Sequence, residues 1–190
     1  MNIKQQYRQQ ALERRRALPR KERMEAATYI QNTLLSKLEQ QGLTTAPMLI
    51  YRAMDDEVDT RHVLSMKRPL MFAPSAHGHD AMQWREVTPD TCWETGKFGV
   101  MEPVNGLLWE PELGKAVLIC PLVGFDRAGN RLGLGMGCFD RWLDRFGQHL
   151  LSTIGLAFSC QEVPAIPAEP HDVPLNTIIT EREIIECRKQ

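Results

Sequence analysis

What the chain lacks narrows its class before any motif is read. None of its five cysteines (Cys92, Cys120, Cys138, Cys160, Cys187) stands in a CxxC pair. Neither a disulfide framework nor a zinc site is therefore expected, and a reducing cytoplasm is the simplest setting. No segment approaches the roughly 18–20 consecutive apolar residues of a membrane span, and Met1, Asn2, Ile3 and Lys4 lead into no apolar run. No membrane partner and no secretory signal peptide are expected. There is no Gly-x-Ser-x-Gly elbow and no Ser-His-Asp order, which leaves a hydrolase reading without support. The Gly-Lys-Ser/Thr of a Walker loop is missing too, as is the tight spacing of a dinucleotide fingerprint. No internal repeat, low-complexity tract or long linker divides the 190 residues. One domain over 1–190 is expected, with a helical segment over about 1–41 packed on it.

The residues that are present are ordinary in bulk and uneven in distribution. The 43% hydrophobic content is close to the globular norm. The net charge of −1 hides a basic first segment, where Lys4, Arg8, Arg14, Arg15, Arg16, Arg20, Lys21 and Arg23 face only Glu13 and Glu22. Such a segment on an acidic body suits a polyanionic partner, and equally suits a solvated arginine-rich helix face. A nucleic acid is disfavoured as that partner because no basic–aromatic interleaving occurs.

Residues 3–18 and 20–41 read as two helices, separated by Pro19 and closed by Gly42. Strands are predicted at 47–51, 70–73, 116–124, 152–158 and 177–180, with an extended segment at 81–86. A short helix fits 60–66, a loop holds Pro89, Gly96 and Gly99, and a further helix fits 139–146. The apolar run at 116–124 has the character of a central parallel strand. The alternation predicts an α/β fold: a layered, mostly parallel, Rossmann-like sheet with helices on both faces plus the N-terminal helices. Ligands are then expected at the carboxyl ends of the strands.

The segment 125–141 carries the most chemistry. Gly129, Gly133, Gly135 and Gly137 lie between a buried strand and a helix, which permits close backbone approach and an anion cradle of N–H groups at the helix start. Arg131 can add a bidentate phosphate contact, and Asp140 can hold Mg²⁺. The alternative is a glycine-rich connection packed on a neighbouring strand, with Asp140 as a simple helix cap. His77, Gly78 and His79 read as a solvent-facing turn, Trp142 as core, and Cys138 as a packed side chain rather than a reactive thiol.

The block Arg131-Leu132-Gly133-x-Gly135-x-Gly137-x-x-Asp140-Arg141, after Pro121-Leu122-Val123-Gly124-Phe125-Asp126, resembles the signature of the 5-formyltetrahydrofolate cyclo-ligase (5,10-methenyltetrahydrofolate synthetase) family. The resemblance extends along the chain. Lys4 with Arg8, the acidic stretch from Asp56 to Thr60, Phe98-Gly99-x-x-Glu102-Pro103, and His171 to Leu175 followed by Ile178 to Thr180 are each similar to family segments. It implies a sheet of the NagB/RpiA/CoA transferase-like type and an ATP-dependent cyclisation of 5-formyltetrahydrofolate to 5,10-methenyltetrahydrofolate, with Mg²⁺ as cofactor. It also implies ATP contacts from Lys4, Arg8, Arg131, Leu132, Gly133, Leu134, Gly135, Met136, Gly137, Cys138 and Phe139. For the reduced folate, polyglutamylated forms included, it implies Arg52, Glu57 and residues 134–138. Arg131 takes the catalytic role, Asp140 with Asn176 the metal, and a monomer is expected.

Several departures fall in the implied site. Cys138 and Phe139 stand where the family usually has two aromatic residues, commonly with a tyrosine hydroxyl, and Asn176 stands where many members have an acid. Leu134 and Met136 occupy positions where some members carry Arg and Lys. These departures raise an alternative: a paralogue that binds nucleotide or folate without efficient turnover.

Overall fold

The structure, a computed structural model, describes residues 2–66, 68, 70–76, 81–96, 99–169 and 172–187. His77, Gly78, His79, Phe98 and His171 lie outside the described residues.

Helix α1 (Ile3–Ala17) begins at a capping box in which Asn2 and Gln5 satisfy each other's backbone N–H groups. Pro19 caps α2 (Arg20–Gln40), and Gly42, at φ +67°, lies just past its end as predicted. Among the described residues, eleven strands are numbered in chain order: β1 (Met48–Ile50), β2 (Met71–Ser75), β3 (Gln83–Glu86), β4 (Trp93–Thr95), β5 (Met101–Pro103), β6 (Ala116–Pro121), β7 (Gly124–Phe125), β8 (Arg131–Leu132), β9 (Leu150–Leu156), β10 (Thr177–Ile179) and β11 (Ile184–Glu186). Two more helices are α3 (Arg61–Ser65) and α4 (Cys138–Phe146).

Seven strands form one sheet in the order β11-β10-β9-β6-β1-β2-β3. Its inner strands are parallel, and β3 and β11 run antiparallel at the two edges. The mostly parallel α/β sheet expected from the sequence is therefore present. Alternate residues of the strands feed two cores. Met48, Ile50, Val117, Ile119, Ile154 and Leu156 pack with Ile30, Leu34 and Leu38 of α2 on one face. Leu49, Phe72, Leu118, Cys120 and Ile178 pack with Trp142 and Leu143 of α4 on the other. The register of β6 between β1 and β9 sets this two-sided burial. Burial pushes the Cys120 thiol up to about 12, so it stays protonated and packs as a small apolar group.

Three features differ from the sequence expectation. The stretch with Pro89, Gly96 and Gly99, predicted as loop, contains the hairpin β4–β5. The glycine-rich segment opens with a second hairpin, β7–β8, and β11 adds an edge strand. These strands are only two or three residues long, too short for a periodicity to show. Asp126 explains the second hairpin. Its buried carboxylate accepts hydrogen bonds from Ala128 N, Asn130 N, Asn130 Nδ2 and Ile166 N, which fold the turn and tie it to the segment after β9.

The tip of that turn is Gly129, at φ +91°, where an added Cβ would lie 2.6 Å from the Leu175 carbonyl oxygen. Gly129→Ala should therefore destabilise the protein by about 2–4 kcal/mol, through strain and a backbone clash together. A calorimetric melting temperature unchanged from the parent would refute this account.

Candidate functional site

The strand order reverses between β1 and β6: from β1 the chain moves to β2 on one side, then returns to β6 on the other. A reversal of this kind opens a crevice at the carboxyl ends of the strands. The crevice contains a cavity of about 660 Å³, within the range of roughly 300–1,000 Å³ usual for small-molecule sites.

The loop after β1 supplies one wall. Arg52 stacks its guanidinium on the Trp93 ring, 4.3 Å from the centroid. Glu57, on the cavity wall, accepts a 2.9 Å hydrogen bond from Met54 N. Burial raises the Glu57 carboxyl above its ordinary value, against the opposing pull of that N–H and of the Arg15 charge; neighbouring Asp56 adds to the rise. Tyr51 is fully enclosed and donates to Val58 O at 2.7 Å. Burial first, and then the Glu57 charge, keep its phenol protonated.

The opposite wall comes from the glycine-rich loop and α4. Leu134, Met136, Cys138 and Phe139 line the cavity, and Gly135 (φ +96°) and Gly137 (φ +62°) turn the backbone into the helix. Among the described residues, no acceptor pairs with the backbone N–H groups of residues 134–137. Open donors at a helix start make an anion-binding concavity. Arg141 holds this loop through a 2.8 Å bond to Met136 O, with its other nitrogen 3.7 Å from Cys138 Sγ.

Helix α1 reaches the same loop. Arg8 Nε donates to Gly133 O at 2.7 Å. Lys4, one turn earlier, pairs with Asp172 at 2.8 Å and Glu169 at 2.9 Å. Burial alone would lower the Lys4 ammonium, but the hydrogen bonds and charges of Asp172 and Glu169 outweigh it and raise the pKa. Arg131, nearly buried, donates to Val173 O and forms an ion pair with Asp140. Asp140 does not cap α4: the N-cap is Gly137, with no side-chain cap bond.

A third wall was not anticipated. Trp84 of β3, Trp109, and Phe139, Trp142 and Phe146 of α4 form an aromatic cluster with ring centroids 5.2–6.1 Å apart. Trp84, Trp109 and Trp142 all line the cavity, so Trp142 is both core and cavity wall. These residues come from three separate elements with no common spacing, and only the fold unites them. Glu102 of β5 also faces the cavity and accepts a 2.7 Å bond from Ala76 N.

Asn176 lies apart in role. Its Oδ1 accepts from Thr153 N at 2.9 Å and Thr153 Oγ1 at 3.1 Å, and its own N–H donates to Thr153. Both lone pairs of the amide oxygen are thus committed to joining β9 and β10, and the residue does not fit a metal ligand. Asp140, whose carboxylate pairs with Arg131 among the described residues, does fit one. Among the described residues, no group of three or more His, Cys, Asp or Glu side chains could hold a metal ion by itself. That is compatible with Mg²⁺, which usually takes one or two carboxylates plus phosphate and water oxygens.

A sequence model of the whole family, described as the 5-formyltetrahydrofolate cyclo-ligase family, matches residues 1–181. The chain belongs to that family. It is similar to the 5-formyltetrahydrofolate cyclo-ligase of Haemophilus influenzae, with 34% identity covering 68% of this chain and 73% of the relative. The enzyme of the same name from Escherichia coli K12 is 30% identical, covering 72% of this chain and 79% of the relative. Among solved structures, the 5,10-methenyltetrahydrofolate synthetase of Aquifex aeolicus superposes with a TM-score of 0.77 at 27% identity, covering 100% of this chain and 95% of that one. The match spans the glycine-rich loop, the acidic loop after β1 and the N-terminal helix. Among the described residues, no helix is long and apolar enough to cross a membrane.

Replacing Asn176 separates its structural role from metal binding. Asn176→Leu leaves the Thr153 N–H and hydroxyl unpartnered and should cost about 2 kcal/mol, whereas Asn176→Asp keeps an oxygen there and should fold near parental stability. Urea midpoints at constant slope report both, and a leucine variant as stable as the parent would contradict this role.

Proposed function

We propose that the chain converts 5-formyltetrahydrofolate to 5,10-methenyltetrahydrofolate, with ATP cleaved to ADP and phosphate. The observation that supports this most is that one cavity is lined by Glu57 and Arg52 and also by Leu134, Met136, Cys138 and Phe139 of the segment entering α4, whose N–H groups at 134–137 find no acceptor among the described residues. A pterin with ring donors suits the first wall, and a triphosphate suits the second.

In this reading the formyl oxygen attacks the γ-phosphorus, and ADP leaves. The neighbouring folate amine then bonds to the activated formyl carbon and loses its proton, and the carbon–oxygen bond breaks to release phosphate. A formyl oxygen is a poor leaving group until it is phosphorylated. Little covalent work falls to side chains, so the protein's contribution is positioning and charge neutralisation. Arg131 turns its guanidinium from Asp140 to the phosphates, and Arg8 and Lys4 close over them from α1. Glu57 accepts from the pterin ring, while Arg52 on Trp93 borders it. Residues 134–137 offer their N–H groups, and Cys138 and Phe139 form the floor. Asp140 is the residue that would hold Mg²⁺, which supplies positive charge against the phosphate oxygens. The protein would work on these small molecules as a cytoplasmic monomer, without nucleic acid or membrane.

Two features favour a working enzyme over a binding-only paralogue. Phe139 keeps an aromatic ring packed on Trp84 at 6.1 Å, and Asn176 serves the sheet rather than the site. Purified protein given 5-formyltetrahydrofolate, Mg²⁺ and ATP should therefore produce the near-ultraviolet absorbance of the methenyl product. Arg131→Ala should lower kcat/KM by at least roughly a hundredfold, a loss on the scale of a removed transition-state donor, and Arg8→Ala should raise the KM for ATP more than that for the folate. ATP or folate binding without product would favour the paralogue, and binding of neither would sink the folate reading.

A further inference from the structure

Arg15 is only 1% exposed, a rare state for an arginine, while its neighbours Arg14 and Arg16 on the same helix face water. Its Nη2 lies 2.9 Å from Asp56 Oδ1, and its Nη1 donates to Leu122 O at 3.2 Å. Gln161, itself buried, donates to the same Leu122 carbonyl. One guanidinium therefore joins three parts: α1, the loop after β1, and the chain leaving β6. The two loops belong to the strands on either side of the reversal in strand order, and α1 carries Lys4 and Arg8.

We propose that Arg15 is a positioning residue for the reaction, fixing the loop of Asp56 and Glu57 against α1 so that the Glu57 carboxylate is held at the cavity wall. The inference rests on the reading of Glu57 as a contact to the reduced folate. Asp56 is bridged again by Arg16, at 3.3 Å. Partial burial alone would raise the Asp56 carboxyl, but the charge and hydrogen bond of Arg15, with Arg16 adding to them, hold it below its usual range and keep it ionised. The charged and titratable groups that act on Glu57 are Arg15 from α1, Asp56 from its own loop and the enclosed Tyr51 phenol at the end of β1.

A bridge that only closed the fold would respond alike to the loss of either partner. A bridge that also sets the field at Glu57 would not. Removing the Arg15 charge takes away an attraction that favours ionised Glu57, so its pKa rises. Removing the Asp56 charge takes away a repulsion, so its pKa falls.

The test is KM for 5-formyltetrahydrofolate at saturating ATP and Mg²⁺, measured across weakly acidic to neutral pH, with uncatalysed cyclisation subtracted. Arg15→Met should raise KM by roughly tenfold with a smaller change in kcat, the mark of a lost binding contact, and should move the acid limb of the profile to higher pH. Arg15→Lys keeps the charge and should leave the limb near its parental position. Asp56→Asn should move the limb to lower pH. Glu57→Gln should abolish it. A limb that persists in Glu57→Gln overturns both the placement of Glu57 on the substrate and this proposal. A limb lost in Glu57→Gln, but shifted the same way or not at all by Arg15→Met and Asp56→Asn, overturns the proposal alone. Should Arg15→Met not fold, the downward shift in Asp56→Asn decides.

Discussion

The reversal of strand order between β1 and β6 is the constraint on which the site depends. Two adjacent parallel strands whose chains leave in opposite directions cannot cover the gap between their own carboxyl ends. In this protein the gap is bounded by the segments that leave each strand: the Asp56 and Glu57 loop after β1, and the β7–β8 hairpin with its glycine-rich exit after β6. Helices α2 and α4 bury opposite faces of the sheet and hold both strands in register. The cavity is thus a property of the topology, and the particular side chains decide only what enters it.

Much of this was readable in the residues. Pro19 and Gly42 bracket α2 because one suits a helix start and the other a left-handed exit. The run at 116–124 reads as a buried strand because it is apolar on both faces, although the strand itself stops at Pro121. The glycines at 135 and 137 mark a sharp turn of the backbone into α4, where both take positive φ, and Lys4 and Arg8 share one face of α1 because they are a turn apart. The features that escaped depend on a partner distant in sequence. Strands β7 and β8 are two residues each and exist because the Asp126 carboxylate gathers four N–H groups. The aromatic wall draws Trp84, Trp109 and Trp142 from elements with no shared period. An amide oxygen at position 176 looks like a metal ligand by chemistry alone, and only the neighbouring Thr153 shows how it is used.

The departures from the family's usual residues also gain meaning from their surroundings. Phe139 retains the ring that packs on Trp84 and gives up a hydroxyl that no apolar neighbour would miss. Cys138 lies on the cavity wall with Arg141, Leu134 and Met136, and Arg141 holds it in place through the loop bond to Met136 O.

Three of the four tryptophans, Trp84, Trp109 and Trp142, stand in the cavity wall, and Trp93 lies beneath the Arg52 guanidinium that borders it. The protein's intrinsic emission therefore originates largely beside the cavity. A chromophore absorbing in the near ultraviolet and seated there would accept energy from several rings at once, so occupancy and release are visible in the fluorescence of the unlabelled protein.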